Sequence, residues 1–364
     1  NYAVNTVRPT ATIAVADNLL VAGETSLVTF TFSEAVTGFD NADLTVANGT
    51  LSAVSSADGG ISFTATLTPS AGINAPANVI SLANSGYTNA AGNAGTGTTD
   101  SNNYAIDTVA RSLTINDVTV AEGNSGTTTL NFTVTVTPAA ADGGVSFDIA
   151  TANGTATAPA DYTTRSLTAQ TIAAGQSSAS FAVTVNGETL VELNETVLVN
   201  LSNVSGAVIG DGQGIGTITN DDSAVVAFNP VGVSQTEATS PMAFTVTLSN
   251  PVQSGVTLTL NSATGTATAA DYTPISGATV SFPASSAASQ TVNVVIANDA
   301  LDEDDETFTL NLSGLTATGN VTLGSAVATG TILDDDATPT LSITSPSQNE
   351  GNAGTSVMNF VVSL

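Results

Sequence analysis

Internal repeats limit the possible folds of this chain more than any other feature, because each repeat must fold as one small module. The segment YAVNTV at Tyr2–Val7 returns as YAIDTV at Tyr104–Val109. A second repeat type follows, since GTATAPADYT at Gly154–Thr163 matches GTATAADYT at Gly265–Thr273. A chain of 364 residues is long enough for roughly two to four domains. The sequence therefore predicts a tandem array of modules.

Three further pairs of matching segments set the order of the modules. They are Glu188–Ser202 with Asp299–Ser313, Gly216–Asp222 with Gly330–Asp336, and Ala121–Val134 with Asn349–Val362. The predicted units are 1–7 (the last strand of a preceding module), 8–108, 109–222, 223–337, and 338–364, the opening of a further module. Because so short an opening cannot bury a core, we expect the chain to continue beyond Leu364. Pairing of this segment with another subunit is the alternative.

Hydrophobic residues alternate with polar ones throughout the repeats. In TTLNFTVTVT, Leu130, Phe132 and Val134 alternate with Asn131 and Thr133, and AFTVTLS and TFTLNLS repeat the pattern. A period of two residues indicates strands with one buried face. No helix longer than a turn is expected. The sequence predicts an all-β protein of tandem immunoglobulin-like antiparallel β-sandwiches, arranged as an elongated array.

The charge of the chain restricts its partners. Three Arg residues oppose 31 acidic residues, for a formal net charge of −28. Binding of nucleic acid is therefore excluded, and an anionic membrane surface would repel the chain. Neither Cys nor His occurs, which excludes the usual zinc sites and all triads that use His. No apolar run of about 18 residues predicts a membrane span. Cations are the expected partners.

Five consecutive acids, Asp302–Glu306, stand in a chain with only 9% charged residues. One interpretation is a solvated acidic turn, and the other is a cation site. Two carboxylates about 4 Å apart repel by about 4 kcal/mol at an effective dielectric of about 20, and a divalent ion reverses that sign. Calcium takes about six to eight oxygen ligands, whereas magnesium uses few carboxylates. Calcium is favoured if the aligned acids of both repeats converge in space.

These repeated segments resemble the Calx-beta domain, which is named for the calcium-binding regulatory domains of sodium–calcium exchangers and is widespread in large bacterial surface proteins. The resemblance covers about residues 110–364 and implies an immunoglobulin-like sandwich with calcium at one pole. In residues 109–222 it implies the ligands Glu122, Asp161, Glu188, Glu192, Glu195, Asp221 and Asp222. In residues 223–337 it implies Glu237, Asp271, Asp299, Glu303, Glu306, Asp334, Asp335 and Asp336. Glu237 is the least secure, because its turn is shorter than the usual EGNxGT turn.

Residues 109–222 depart from the family pattern. Asn220 interrupts the terminal acidic cluster, and Leu193 and Asn194 replace Asp304 and Asp305. We therefore expect this site to bind calcium more weakly or to hold fewer ions. The other repeat has no acid at the positions of Asp304 and Asp305. We therefore expect these two side chains to face solvent or to contact the ligands rather than the ion.

The first complete module resembles the bacterial immunoglobulin-like repeats of giant adhesins, through FTFSEAVTGFDNADLTVANGTLS and the terminal YAIDT. Five of its acids are candidate calcium ligands: Glu34, Asp40, Asp43, Asp100 and Asp107. They are equally consistent with calcium at a module junction and with ordinary turn acids that bond their own backbone.

The leading functional hypothesis is a calcium-stabilised extracellular structural or adhesive segment, the stalk of a bacterial surface or secreted protein. The alternatives are a subunit of a self-assembling filament or surface layer, and a calcium-sensing regulatory module. Other copies of the chain, surface proteins and glycans are further candidate partners. An enzyme is not expected, because sugar sites usually use aromatic faces and this chain has no Trp and 5% aromatic residues.

Overall fold

A computed structural model of the protein describes residues 5–364, so most of the strand predicted at residues 1–7 lies outside the described part. Within residues 5–364 every regular element is a strand, apart from one 3-10 turn at Asn41–Asp43. The prediction of an all-β fold is confirmed. No helix in this part of the chain is long and apolar enough to cross a membrane.

The first module is a sandwich of short strands. Its strands are β1 (Ala11–Val15), β2 (Leu19–Val21), β3 (Ser26–Phe32), β4 (Val36–Thr37), β5 (Leu44–Val46), β6 (Gly49–Leu51), β7 (Ser62–Pro69), β8 (Asn74–Asn78), β9 (Ile80–Ala83), β10 (Thr88–Asn89), β11 (Thr98–Asp100) and β12 (Tyr104–Asp107). The sheet β1-β3-β7-β6 faces smaller sheets across a core that contains Phe30, Phe39 and Tyr87. The rings of Phe32 and Tyr87 meet edge to face at 4.7 Å.

The second module is an immunoglobulin-like sandwich of two sheets. Its strands are β13 (Ser112–Ile115), β14 (Val118–Ala121), β15 (Gly126–Thr137), β16 (Val145–Asn153), β17 (Ser166–Ile172), β18 (Ser178–Gly187), β19 (Glu195–Ser205), β20 (Val208–Asp211) and β21 (Gln213–Thr219). The sheets have the orders β18-β15-β13-β20 and β14-β21-β19-β16-β17. The alternating side chains of β15, among them Leu130 and Phe132, are fully buried between the sheets. Most pairs are antiparallel, but β14 runs parallel to β21 and β13 to β20.

The third module repeats this arrangement. Its strands are β22 (Ala224–Phe228), β23 (Gly232–Thr236), β24 (Met242–Leu248), β25 (Val256–Thr264), β26 (Ala278–Phe282), β27 (Gln290–Val294), β28 (Glu306–Thr316), β29 (Val321–Leu323) and β30 (Val327–Leu333). The sheet orders are β27-β24-β22-β29 and β23-β30-β28-β25-β26, which match the second module strand for strand. Tyr272 stacks on Phe308 at 4.4 Å in its core.

The terminal segment, residues 338–364, forms one short antiparallel pair. The strands β31 (Ser342–Ile343) and β32 (Val362–Ser363) place Ile343 opposite Val362. In the second module Ile115 lies opposite Val134 in the same way. The difference is burial, because Ile115 and Val134 lie in a core whereas Ile343 and Val362 are exposed.

The side chain of one buried arginine contacts both the first and the second module. The Arg111 guanidinium forms an ion pair with Asp107 at the end of β12, with Nη2 and Oδ2 2.6 Å apart. Its Nε donates to the Ala139 carbonyl of the second module at 2.8 Å. The Arg111 side chain is buried, so this pair is shielded from solvent. Residues of both modules therefore hold one guanidinium.

The junction between the second and third modules is made by backbone and by one apolar side chain. Val191, in the loop between β18 and β19, forms an isolated parallel bridge with Val252. Its N–H donates to the Pro251 carbonyl at 2.9 Å, and its carbonyl accepts from the Gln253 N–H at 3.0 Å. The Val191 side chain is fully buried and belongs to the hydrophobic core of the third module.

Candidate metal centres

The strand order of the second module brings its acids to one pole. Because β14 and β21 are parallel and neighbouring, the residues after their ends, Glu122 and Asp221–Asp222, lie side by side. The antiparallel strand β19 begins at Glu195 at the same pole, directly after the loop 188–194. Asp161 lies in the loop that follows β16, whose last residue pairs near the start of β19. Segments distant in sequence therefore converge.

Carboxylates of the second module lie close enough to share ions. Three groups have oxygen atoms all within 4.8 Å of one another. They are Glu122 with Glu188 and Glu192, Glu122 with Asp221 and Asp222, and Asp161 with Glu192 and Glu195. Glu122 and Glu192 each belong to two groups, so the seven predicted residues form one connected set. We call this set the second-module cluster.

Two oxygen atoms of this cluster are buried without a hydrogen-bond partner. Glu122 and Asp222 are only 6% and 2% exposed. Within residues 5–364, Glu122 Oε1 and Asp222 Oδ2 are among the few buried side-chain oxygens that accept no hydrogen bond. An ionised carboxylate in this position is costly unless a cation or donor compensates it. A bound cation would compensate the charge at these two oxygens.

The electrostatics of the second-module cluster are consistent with a bound cation. Burial, followed by the charge of Glu188, raises the pKa of Glu122 to about 7. Burial and the charge of Glu195 raise the pKa of Glu192 to about 8. Burial and Asp161 raise the pKa of Glu195 to about 7. The protein environment therefore disfavours the ionised form of these groups, which a bound divalent cation would favour.

Neighbouring groups orient the carboxylates at the outer edge of this cluster. The Asn124 amide donates to Asp222 Oδ1, and the Gly123 N–H donates to Asp221 Oδ1 at 3.1 Å. The Thr157 N–H donates to Asp161 Oδ2 at 2.6 Å. Each of these carboxylates keeps a second oxygen that these bonds leave free to bind an ion.

The third module carries a corresponding cluster. Two groups have oxygen atoms within 4.8 Å, Glu237 with Asp335 and Asp336, and Asp271 with Glu303 and Glu306. We call these six residues the third-module cluster. Asp336 Oδ2 is buried without a hydrogen-bond partner in the described chain. Glu237 is 7% exposed, whereas Glu303 is exposed, so this cluster is the more open of the two.

The pKa directions in the third-module cluster follow from burial and crowding. Burial and the neighbouring Asp336 carboxyl raise the pKa of Glu237. Burial and Asp271 raise the pKa of Glu306. Burial opposes ionisation of Asp271 as well, but the N–H and hydroxyl of Thr268 donate to its carboxylate and lower its pKa. Asp271 is therefore a preformed anion in this cluster.

Two predicted ligands of the third module lie outside these groups. Asp334 Oδ1 accepts the Glu303 N–H at 3.3 Å, and its own N–H donates to Asp305 Oδ1. Burial, then the charge of Asp299, raises the pKa of Glu303. Asp304 lines the small pocket between Glu237 and Glu306, although the comparison of repeats placed it away from the ion.

The acids of the first module all have partners within the protein. Asp107 pairs with Arg111, Asp100 accepts from Ser81, and Glu34 accepts from Asn89. Asp40 and Asp43 cap the 3-10 turn through a reciprocal capping box. No group of three acids with converging oxygens was found in this module among the described residues. Asp40, Asp43 and Asp107 accept from nearby backbone N–H groups, as turn acids do, whereas Asp100 and Glu34 bond side chains distant in sequence.

Two participants near the second-module cluster were missed by the sequence analysis. Gln253 of the third module donates from Nε2 to Glu192 Oε1 at 3.1 Å. Val191 anchors the ligand-bearing loop in the neighbouring core. The signal for Val191 was available, since an apolar residue stands where the other repeat has Asp302. Nothing in the sequence singles out Gln253, because its position depends on how the modules meet.

Comparison with known families identifies the modules. The bacterial Ig-like domain family matches residues 5–106, and the Calx-beta domain family matches residues 108–214 and 219–336. The two Calx-beta matches cover more than half of the chain, which therefore belongs to the Calx-beta domain family, preceded by a bacterial Ig-like domain. Neither is an enzyme family. A search of curated proteins gave no match.

This chain is similar to solved structures of Calx domains and of a bacterial adhesin. The apo-form Calx CBD1 domain is 24% identical, covering 31% of this chain and 98% of that chain, with a TM-score of 0.29. The CBD12 structure from CALX1.2 is 15% identical, with coverage of 60% and 98% and a TM-score of 0.29. The Escherichia coli adhesin FdeC is 12% identical, with coverage of 89% and 96% and a TM-score of 0.30.

Proposed function

We propose that this chain is a calcium-stabilised structural or adhesive repeat segment of a bacterial surface or secreted protein. The observation that carries the proposal is the set of buried carboxylate oxygens without partners at the poles of both Calx-beta modules. The tandem order of a bacterial Ig-like domain and two Calx-beta domains supports the structural role.

The donor set fits calcium better than other common metal ions. Its oxygens come from carboxylates, without His or Cys, which suits a hard cation. Calcium accepts about six to eight oxygens with flexible geometry, while magnesium retains waters and uses few carboxylates. The second-module cluster supplies seven carboxylates and the third-module cluster six, enough for such a shell. Bound calcium would compensate the charge that raises these pKa values.

The stiffening role rests on where the second-module cluster lies. Glu188 and Glu192 lie on the loop that also contacts the third module through Val191, and Glu195 begins the strand that follows this loop. Without a cation, repulsion among these carboxylates opposes one fixed loop conformation. Calcium would remove that repulsion and order the loop, so the junction would become stiffer. This effect suits a chain that must transmit force between modules.

A subunit of a self-assembling filament is a second candidate, favoured by one observation. The apolar face of the terminal segment is open, with Leu341, Phe360 and Leu364 exposed by 73%, 56% and 88%. An open face and edge of this kind can receive strands from another chain. Sedimentation velocity at increasing concentration tests it. Growing species that Phe360→Asp abolishes would favour the filament, and a constant monomer would exclude it.

Thermal unfolding of the full chain tests the proposed function. We expect millimolar calcium to raise Tm strongly relative to EGTA, and more than magnesium does. In the double variant Asp271→Asn/Glu306→Gln, the third module should lose the rise in Tm that calcium causes. The exposed control Asp142→Asn should keep this rise. A midpoint near 0.1–1 mM indicates the stalk, and one near micromolar indicates the sensor. An unchanged Tm would contradict the proposal.

A further inference from the structure

The loop between β18 and β19 belongs to two modules at once. It carries Glu188 and Glu192 of the second-module cluster, and Glu195 follows it as the first residue of β19. Between these acids, Val191 is fully buried in the core of the third module. Gly319 of the third module faces the loop with φ +78°, and a Cβ there would lie 2.7 Å from Val191 Cγ1. The ligand-bearing loop is therefore held from outside its own module.

A polar group of the third module reaches the cluster at this contact. The Gln253 N–H bonds to the Val191 carbonyl, which fixes the backbone of Gln253 beside the loop. Its side-chain Nε2 lies 3.1 Å from Glu192 Oε1. Glu192 is 7% exposed and shares oxygen contacts with both Glu122 and Glu195. The Gln253 amide thus contacts the centre of the second-module cluster rather than its rim.

We propose that the cation site of the second module is completed by the third module, with the Gln253 amide oxygen as a ligand. This inference rests on the proposed function. An amide carries a carbonyl oxygen beside its NH₂ group, and rotation about its last bond exchanges the two. Amide carbonyl oxygens are normal ligands of calcium. The NH₂ group stabilises the metal-free Glu192 carboxylate, and the oxygen serves when the cation is bound.

A ligand from the next module couples binding to the junction. If calcium binds more tightly when the modules are docked, docking is more favourable by the same factor when calcium is bound. A role for Gln253 in the metal-free state alone would change calcium affinity in the opposite direction. If the amide only stabilised the metal-free carboxylate, its removal would strengthen calcium binding, because the competing interaction would be lost. The proposed ligand role requires that its removal weaken binding.

The test is calcium titration calorimetry on the full chain. Asp271→Asn, Glu306→Gln and Asp336→Asn are present in every sample, so that both carboxylate groups of the third-module cluster are impaired and the titration reports the second-module site. We expect Gln253→Ala to weaken calcium binding about tenfold, within the range that partners of metal ligands show. Gln253→Glu should retain or strengthen binding. The matched control is Gln290→Ala, because the Gln290 amide of the same module donates to the neighbouring Ala288 carbonyl.

A distance measurement supplies a second readout that does not depend on affinity. Since the chain has no Cys, cysteines at the exposed positions Ser178 and Thr291 can be spin-labelled specifically. Calcium should narrow the distribution of distances between the two spin labels, one on each module. Gln253→Ala should reduce that narrowing.

The outcomes separate this inference from the proposed function. Weaker binding and reduced narrowing in Gln253→Ala, with Gln290→Ala unchanged, would support the shared site. Equal or tighter binding in Gln253→Ala would overturn the inference while leaving the proposed function intact. Failure of the parent chain to bind calcium at its second module would overturn both.

Discussion

Glu122 shows at the residue scale why these clusters call for a cation. Its position directly after β14 is fixed by the parallel pairing of that strand with β21, so the side chain cannot move to solvent without disturbing the sheet. It is 6% exposed, one of its oxygens has no hydrogen-bond partner, and its pKa is raised to about 7 by burial and by Glu188. Such a carboxylate costs stability when the ion is absent.

The first prediction is that Glu122→Gln changes stability in opposite directions with and without calcium. In EGTA the neutral amide removes repulsion, and Tm of the second module should rise by about 4 °C, equivalent to about 1 kcal/mol. In calcium the variant loses a ligand and should melt below the parent chain. Differential scanning calorimetry of both chains measures this. A variant that is less stable in both conditions would contradict the account.

The second prediction concerns pH. The pKa values of Glu122, Glu192 and Glu195 are raised to about 7, 8 and 7 in the folded protein. A raised folded pKa contributes stability below the unfolded value, and this contribution is lost as pH rises through the folded value. The urea midpoint of the metal-free chain should therefore fall between about pH 5 and about pH 8.5.

Calcium should remove this fall, since the bound ion favours the ionised carboxylates. Asp58, Asp148 and Asp271 have lowered pKa values, so they titrate below this window and do not mask the effect. A metal-free chain that becomes more stable over the same window would refute the prediction.

At the scale of elements, the loop between β18 and β19 links a cation cluster to a hydrophobic core. It places Glu188 and Glu192 in the second-module cluster and Val191 in the core of the third module. The corresponding residue of the third module is Asp302, which is exposed. One loop type therefore carries an acid in one repeat and a docking residue in the other.

The third prediction is that Val191→Ala destabilises the third module by about 2 kcal/mol, because the cavity lies in that module's core. Hydrogen exchange of the full chain should show faster exchange in the third module, although the substitution lies in the second. Val208→Ala is the control, because Val208 is 64% exposed and its loss should cost at most about 0.5 kcal/mol. Exchange confined to the second module would count against the docking role.

The sequence predicted the strands better than it predicted which strands pair with one another. Alternation in TTLNFTVTVT indicated β15 correctly, because burial of one face is a local pattern. The repeats also indicated which acids correspond between modules. That β14 pairs in parallel with β21 depends on contacts distant in sequence, which alternation does not encode. Comparison of the repeats singled out Asn220, Leu193 and Asn194 as departures, whereas in the structure Val191, two residues before Leu193, lies in the neighbouring core.

On the scale of the whole molecule, the two junctions differ in the positive charge that the chain itself supplies. Between the first and second modules, Arg111 supplies a permanent cation, with Asp107 and the Ala139 carbonyl as its partners. Between the second and third modules, buried carboxylates lie beside the contact and a guanidinium does not appear among their partners in the described chain. We therefore expect only the second junction to respond to calcium.

The fourth prediction is that Arg111→Met destabilises the first junction equally with and without calcium. Removal of one partner of a buried ion pair should cost about 3 kcal/mol, because Asp107 would keep its charge without compensation. The control is Arg165→Met. The exposed Arg165 guanidinium lies 5.0 Å from the centre of the Phe181 ring, and its loss should cost about 0.5–1 kcal/mol. Urea unfolding in EGTA and in calcium compares the two. A loss that calcium restores would show that this junction is also ion-dependent.

The most direct test of the central claim is equilibrium dialysis of the full chain against radioactive calcium, with excess magnesium to suppress weak attraction by the net charge of −28. The account predicts saturable binding to both Calx-beta modules. The third module should lose its share in Asp271→Asn/Glu306→Gln/Asp336→Asn, and the second module should lose its share in Glu122→Gln/Glu192→Gln. Uptake that never saturates, or that magnesium displaces completely, would show that the acidic poles are solvated surfaces and would contradict the account.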